Sequence, residues 1–301
     1  MRTLSRILLP ATLALAMATG VFAAEITVKH AQGETVLPDT PRKVLTFDLA
    51  TLDTLDLLGV DVAGVPDFAL PEYLAKYKDT PRIGSLFEPD FEAVAAAAPD
   101  LIIVAGRSSK AYPELAKIAP TVDLSTDWTD YGASVKANSV ILGDIFGKQA
   151  EVAALIADLD ASIEAVNADA ATAGKGLIIL TSGGKVSAYG AGSRFGWIHQ
   201  TLGVVPAIED VEAATHGDAI SFEFIHETNP DWLFVIDRDA AVGETGQAAE
   251  QVLNNDLVAQ TNAWKNGNVV YVDGMKSYVI NGGLHAFQDL VTDIGTALAK
   301  K

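Results

Sequence analysis

The 301-residue sequence contains no cysteine, so neither a disulfide framework nor a thiolate metal site is open to it. Cations are scarce: 21 lysines and arginines stand against 39 aspartates and glutamates, a formal net charge of −18. So acidic a chain argues against nucleic acid as a partner. It also makes any cluster of arginines informative. The five histidines, His30, His199, His216, His226 and His285, form no HExxH arrangement. There is no Gly-x-Ser-x-Gly elbow. Thr181-Ser182-Gly183-Gly184-Lys185 lacks the spacing of a phosphate loop. After Gly190-Ala191-Gly192 the third glycine of a dinucleotide fingerprint comes one position late, at Gly196. No nucleophile–base set can be assembled, which weighs against an enzyme. Past the amino terminus there is no apolar run long enough for a membrane span, no Gly/Ser linker and no low-complexity tract.

The amino terminus itself reads as a secretory signal over residues 1–23. Arg2 and Arg6 precede an apolar stretch from Ile7 to Val21, and Val21-Phe22-Ala23 ends in a small-residue cleavage pattern. Cleavage after Ala23 would remove both arginines and shift the formal charge from −18 to −20. With no lipobox cysteine, the mature chain is expected free in a bacterial periplasm.

What the sequence does contain is one stretch written twice. Phe91-Glu92, Pro99-Asp100, the run Leu101 to Val104, and Arg107 recur as Phe222-Glu223, Pro230-Asp231, Trp232 to Val235, and Arg238, every match offset by 131 residues. Each copy predicts a short helix with a glutamate in its first turn, a stop at proline, and a strand buried on both faces. Arg107 and Arg238 then fall just past a strand's carboxyl end, where open α/β sheets bind ligands. Each lobe thus carries a glutamate at one pole and an arginine at its ligand edge. A duplicated scaffold with a capping glutamate and a surface arginine is the plainer alternative.

Elsewhere the pattern predicts a hairpin over 25–37, a strand over 44–47, and a helix capped by Asp48 or Thr51 and stopped by Gly59. A second short strand is expected over 60–65 and a surface helix around Tyr73 and Tyr77. A helix of some 22 residues from Gln149 carries Val152, Leu155, Ile156, Leu159, Ile163 and Val166 at helical spacing. It would span roughly 30 Å, enough to join two lobes. Strand and helix alternate on both sides of it, which argues for βαβ units. Domains are therefore expected at 24–147 and 173–301, with 148–172 as the inter-lobe helix. Cations gather at predicted strand ends and loops, namely Arg107, Lys110, Arg194 and Arg238, with His216 and Tyr278 in loops at the same edge. From spacing alone each could equally be a surface side chain.

Several stretches together resemble the periplasmic siderophore-binding proteins of iron ABC importers, most of all their catecholate branch for ferric enterobactin and petrobactin. They are Phe47-Asp48-Leu49, Asp90 to Lys110, Leu177 to Thr181, Ser193-Arg194-Phe195-Gly196 with His199, Thr215-His216-Gly217, and Asn229 to Arg238. The resemblance implies two α/β lobes of the class III binding-protein type, joined by one long helix, with the ligand cleft between them. It implies that Arg107, Arg194 and Arg238 bind an anionic iron–catecholate complex, with Lys110 at the edge. His216 and Tyr278 would complete the iron shell of a tetradentate siderophore, imidazole and phenolate being suitable iron donors. Glu92 and Glu223 would dock on the importer's permease dimer. The expectation is a monomeric binding protein, not an enzyme, with a ferric siderophore as cargo and no permanent cofactor. The alternatives are a same-fold protein for haem, cobalamin or a hydroxamate siderophore, a bare metal-ion binder, and a periplasmic enzyme on this scaffold.

Overall fold

The computed structural model describes residues 25–209 and 217–300. The expected signal segment and His216 lie outside the described residues. An amino-terminal hairpin pairs β1 (Ile26–His30) with β2 (Gly33–Leu37). After β3 (Val44–Thr46), Asp48 caps α1 (Leu49–Leu57) by accepting the N–H and hydroxyl of Thr51. The strand expected over 60–65 does not form; Gly64 and Val65 make only isolated bridges to Leu45 and Arg82. Asp61, Gly64 and Pro66 interrupt the apolar run, and all three disfavour strand. The surface helix expected around Tyr73 and Tyr77 is a 3₁₀ turn, Glu72–Tyr77, with Tyr77 and Leu74 buried. Only its glutamate and lysines make it look solvent-facing.

The first copy of the repeat follows as α2 (Phe91–Ala97) and β4 (Leu101–Val104), then α3 (Tyr112–Leu115) and β5 (Thr121–Asp123). Strands β3, β4 and β5 make a parallel sheet in that order. Two helices then lead across the molecule, α4 (Tyr131–Phe146) and α5 (Gln149–Ala170), the latter with the length expected. The second lobe runs β6 (Lys175–Ser182), β7 (Lys185–Tyr189), α6 (Trp197–Gln200), β8 (Val205–Pro206) and β9 (Asp218–Ile220). The second copy is α7 (Phe222–Thr228) and β10 (Trp232–Asp237). It is followed by α8 (Arg238–Ala241), α9 (Ala249–Leu253), α10 (Asn262–Lys265), β11 (Val269–Val272) and α11 (Leu284–Leu298). Its sheet is mixed, ordered β11-β10-β6-β7-β9, with β8 also paired to β6. The stretch 181–185 is the β6–β7 hairpin: Gly183 and Gly184 both have positive φ, which a two-residue primed turn demands.

The two copies share their local physics. Asp90 and Ser221 cap the two helices by accepting N–H groups of the first turn. Each helix ends in a left-handed residue, Ala98 or Asn229, both at φ 44°. The prolines that follow disfavour right-handed α geometry there. Asp100 Oδ2 then accepts the N–H groups of Arg42 and Lys43 (3.0 and 2.9 Å), and Asp231 Oδ2 that of Lys175 (2.9 Å). The Pro-Asp pair therefore pins the start of the neighbouring parallel strand.

The central strands of both sheets are buried on both faces. Val44, Leu101 and Ile103 pack with α1, while Leu45, Ile102 and Val104 pack with Val94 and Leu115 of α2 and α3. In the second lobe Ile178, Phe234 and Ile236 face α11, and Leu177, Leu233 and Val235 face Ile225, Val252 and Ala263. The crossing helices belong to both lobes. Tyr131 and Val135 of α4 and Leu159 and Val166 of α5 pack with the second sheet, while Leu142, Ile145 and Val152 pack with the first. A further tie is polar. Asp53 of α1, fully buried, accepts the Tyr73 hydroxyl (2.6 Å) and the N–H groups of His285 and Ala286 (2.9 and 3.2 Å) in the first turn of α11.

Candidate functional site

The functional candidates converge on one turn. Residues Met275–Val279 form a single π-helical turn, closed by Ile280 N–H donating to the Met275 carbonyl at 2.9 Å. Such wide turns are uncommon and recur at functional sites. The sequence predicted a loop here; the structure orders it as this turn and uses its terminal carbonyls, which a helix end leaves without internal partners. Arg107, emerging after β4 in the first lobe, donates through Nη2 to the Tyr278 carbonyl (2.8 Å) and through Nη1 to that of Val279 (3.2 Å). Arg194 of the second lobe donates to the same Tyr278 carbonyl (3.0 Å). Two arginines from opposite lobes thus meet on one backbone oxygen.

Aromatic rings surround the Arg194 guanidinium. Its central carbon lies 4.4 Å from the Tyr278 ring centroid, 5.1 Å from Phe195 and 5.8 Å from Trp128, and Arg107 approaches Tyr278 at 5.9 Å. Burial, then the nearby charge of Arg107, pushes the Arg194 pKa below the usual arginine value. Its Nε is buried without a hydrogen-bond partner among the described residues. The loop carrying Arg194 is tight: Ser193 Oγ donates to the Gly190 carbonyl at 2.7 Å, and any Cβ at Gly196 would collide with the Ala191 carbonyl. That is the physical content of Ser-Arg-Phe-Gly. Tyr189, packed edge-on to Phe195, has its hydroxyl pKa pushed up to about 12 by burial.

Arg238 opens α8 at the end of β10 and is differently placed. Its Nη1 donates to Glu244 Oε2 at 2.8 Å and reaches Asp239 Oδ1 at 3.4 Å. The bond to Glu244, then the nearby Tyr278 hydroxyl, raises its pKa. Asp239 is mainly structural, accepting Gly183 N–H (2.7 Å) and the Ser182 hydroxyl (3.2 Å). Lys110 is exposed on a 3₁₀ turn, Ser109–Ala111, and its side chain makes no hydrogen bond or ion pair among the described residues. Glu92 and Glu223 are exposed in the first turns of α2 and α7. Its own N–H, then contact with the Ser221 side chain, holds the Glu223 carboxyl below the usual range. Among the described residues no three histidine and carboxylate side chains gather as a metal site.

Sequence reasoning thus named the arginines and Tyr278, and the structure brings them together. It missed Trp128 and Glu244. A lone tryptophan in the polar stretch 125–130 and an acid between Gly243 and Gly246 were their only signals.

Two lobes with an arginine-lined junction are the architecture of a solute receptor, and the chain belongs to the periplasmic binding protein family, whose model matches residues 44–275. Among individual proteins, it is 45% identical over 283 residues to the petrobactin-binding protein YclQ of Bacillus subtilis, covering 92% of this chain and 89% of that one. The crystal structure of YclQ superposes with a TM-score of 0.88 at 44% identity, over 92% of this chain and 100% of the other. The ferric-anguibactin-binding protein FatB of Vibrio anguillarum is 36% identical over 277 residues, 89% of this chain and 86% of that protein. The periplasmic catecholate-siderophore binding protein VctP of Vibrio cholerae matches with a TM-score of 0.86 and 36% identity, over 91% of this chain and all of that one. Among the described residues no helix is long and apolar enough to cross a membrane.

Proposed function

We propose that the protein captures a ferric catecholate siderophore in the periplasm, after removal of the signal segment, and delivers it as a monomeric carrier to the permease dimer of an inner-membrane ABC importer. The observation that carries this is the convergence of Arg107, Arg194 and Arg238 on Tyr278 in a chain of net charge −18. A ferric tris-catecholate carries about three negative charges, and guanidinium forks suit its phenolate oxygens. Half-buried rings at Tyr278 and Trp128 offer flat faces to the catechol rings. Lys110 would stand at the rim, Tyr278 and His216 would supply iron donors to a four-donor siderophore, and Glu92 and Glu223 would engage the permease. The lobes 24–147 and 173–301 would each contribute one wall, with 148–172 between them. The names of the relatives, for petrobactin, ferric anguibactin and a catecholate siderophore, support the same cargo class. They are binding proteins, which supports transport rather than turnover.

The test is native mass spectrometry of the purified protein against matched ferric complexes: a tris-catecholate, a bis-catecholate, a trihydroxamate, and haem and cobalamin. Retention of the catecholates over the neutral trihydroxamate is expected. Preference for the trihydroxamate, haem or cobalamin would overturn the proposal.

A further inference from the structure

The arginines of the site are not equivalent in the free protein. Arg107 and Arg194 spend donors on backbone carbonyls, and among the described residues neither has a carboxylate within 4.0 Å. The buried Asp48 carboxylate feels the charge of Arg107 but is itself occupied as the cap of α1. Of these three arginines, Arg238 alone is ion-paired among the described residues, at 2.8 Å from Glu244 Oε2. The two carboxylates near it differ in kind. Asp239 has only 8% of its side chain exposed and is held by Gly183 and Ser182, whereas Glu244 is 57% exposed and, among the described residues, Arg238 is its carboxylate's one short partner. Glu244 sits in a run of exposed residues, 243–248, that includes Gly243 and Gly246. Its own N–H is fixed on the Asp239 carbonyl at 2.9 Å. The carboxylate can therefore leave Arg238 by side-chain rotation while the backbone stays in place.

Resting on the cargo proposed above, we infer that Glu244 is a displaceable counter-ion: it occupies Arg238 in the free protein and is expelled to solvent when a polyanionic ferric complex takes that arginine. A bound trianion and Glu244 cannot both be neutralised by the same guanidinium. The exchange favours ligands whose anionic oxygens replace the carboxylate, and penalises neutral complexes, which would leave the pair intact and gain nothing from Arg238. Glu244 thereby acts as a selectivity residue for cargo charge. It also provides an internal competitor that re-forms its ion pair when cargo departs.

The experiment titrates wild type, Glu244→Gln, Arg238→Ala and the double variant with a ferric tris-catecholate and with a neutral ferric trihydroxamate, following tryptophan fluorescence. Glutamine keeps the size and an acceptor oxygen without the charge, and the position is exposed, so folding is undisturbed. Glu244→Gln is expected to bind the tris-catecholate roughly fivefold more tightly, about the upper range for releasing one exposed ion pair. Its binding of the trihydroxamate should not change. Most of the gain should vanish in the Arg238→Ala background. Unchanged or weaker tris-catecholate binding by Glu244→Gln overturns the inference. So does an equal gain without Arg238, which would mean simple repulsion at a distance. A wild type that binds no ferric catecholate overturns the cargo proposal instead, a result seen before any variant is compared.

Discussion

The two lobes carry the same helix–turn–strand unit and use it differently. In both, a capped helix ends in a left-handed residue before proline, and an aspartate pins the neighbouring parallel strand. After that the copies diverge. Arg107 crosses the junction to carbonyls of the other lobe, whereas Arg238 stays within its own lobe, paired to Glu244. Backbone geometry has been duplicated; the electrostatic setting of the arginine has not. The second lobe further supplies Arg194 and Tyr278, which have no partner at the 131-residue offset. Under the proposed function, charge on the cargo would be shared between lobes, while the aromatic surroundings of the arginines come mostly from the second.

The strongest challenge to this comparison addresses what the lobes are proposed to do alike. Glu92→Ala combined with Glu223→Ala should leave siderophore binding intact and abolish importer-coupled uptake, measured with radiolabelled ferric siderophore in cells. Each single variant should fall between, and comparison of the two reports whether the permease uses both lobes equally. Normal uptake by the double variant would remove the docking role. The next test concerns where the lobes differ. Arg194→Ala and Arg107→Ala should each weaken binding of a ferric tris-catecholate by roughly 10- to 100-fold, from the ~1.5–3 kcal/mol of a charge-assisted bond. Arg238→Ala should cost less, because Glu244 already offsets part of its charge. An equal or reversed order in fluorescence titrations would erase the distinction drawn between the copies.

Much of this was legible in the sequence, for identifiable reasons. The repeat exposes α2-β4 and α7-β10 because proline and buried strands leave strong local signatures. The long α5 is visible because its apolar residues keep helical spacing. The arginines stood out because cations are rare in the chain. What was not legible depends on distant partners. The π turn at Met275–Val279 has no periodicity of its own, and only Arg107 and Arg194, 171 and 84 residues away, show what the Tyr278 carbonyl is for. Tyr73 looked like a surface residue because its partner, Asp53, lies inside a leucine-rich helix. Glu244 reads as one more acid in an acidic chain until Arg238 is seen against it.

The smallest effect tests what binds the lobes together. Asp53 of the first lobe caps α11 of the second, and a Cβ at Gly283 has no room beside its carboxylate. Burial pushes its pKa up to about 6, against the lowering influence of Tyr73, the α11 N–H groups and His285. Around it stand the His285 ring, 3.8 Å from Asp53 Oδ1 and 3.5 Å from Asp289, and Lys276, paired to Asp289 at 2.7 Å. A carboxyl whose folded pKa exceeds its unfolded value of 3.8 binds more protons when folded throughout the interval between them. Its contribution is therefore fully present below about pH 4 and is lost as pH rises through 6. Urea unfolding should accordingly show stability increasing from pH 7 to pH 5, and Asp53→Asn should flatten that slope. An unchanged slope in the variant would mean that the junction is held by the apolar packing of α4, α5 and α11 alone, with Asp53 staying ionised across the range.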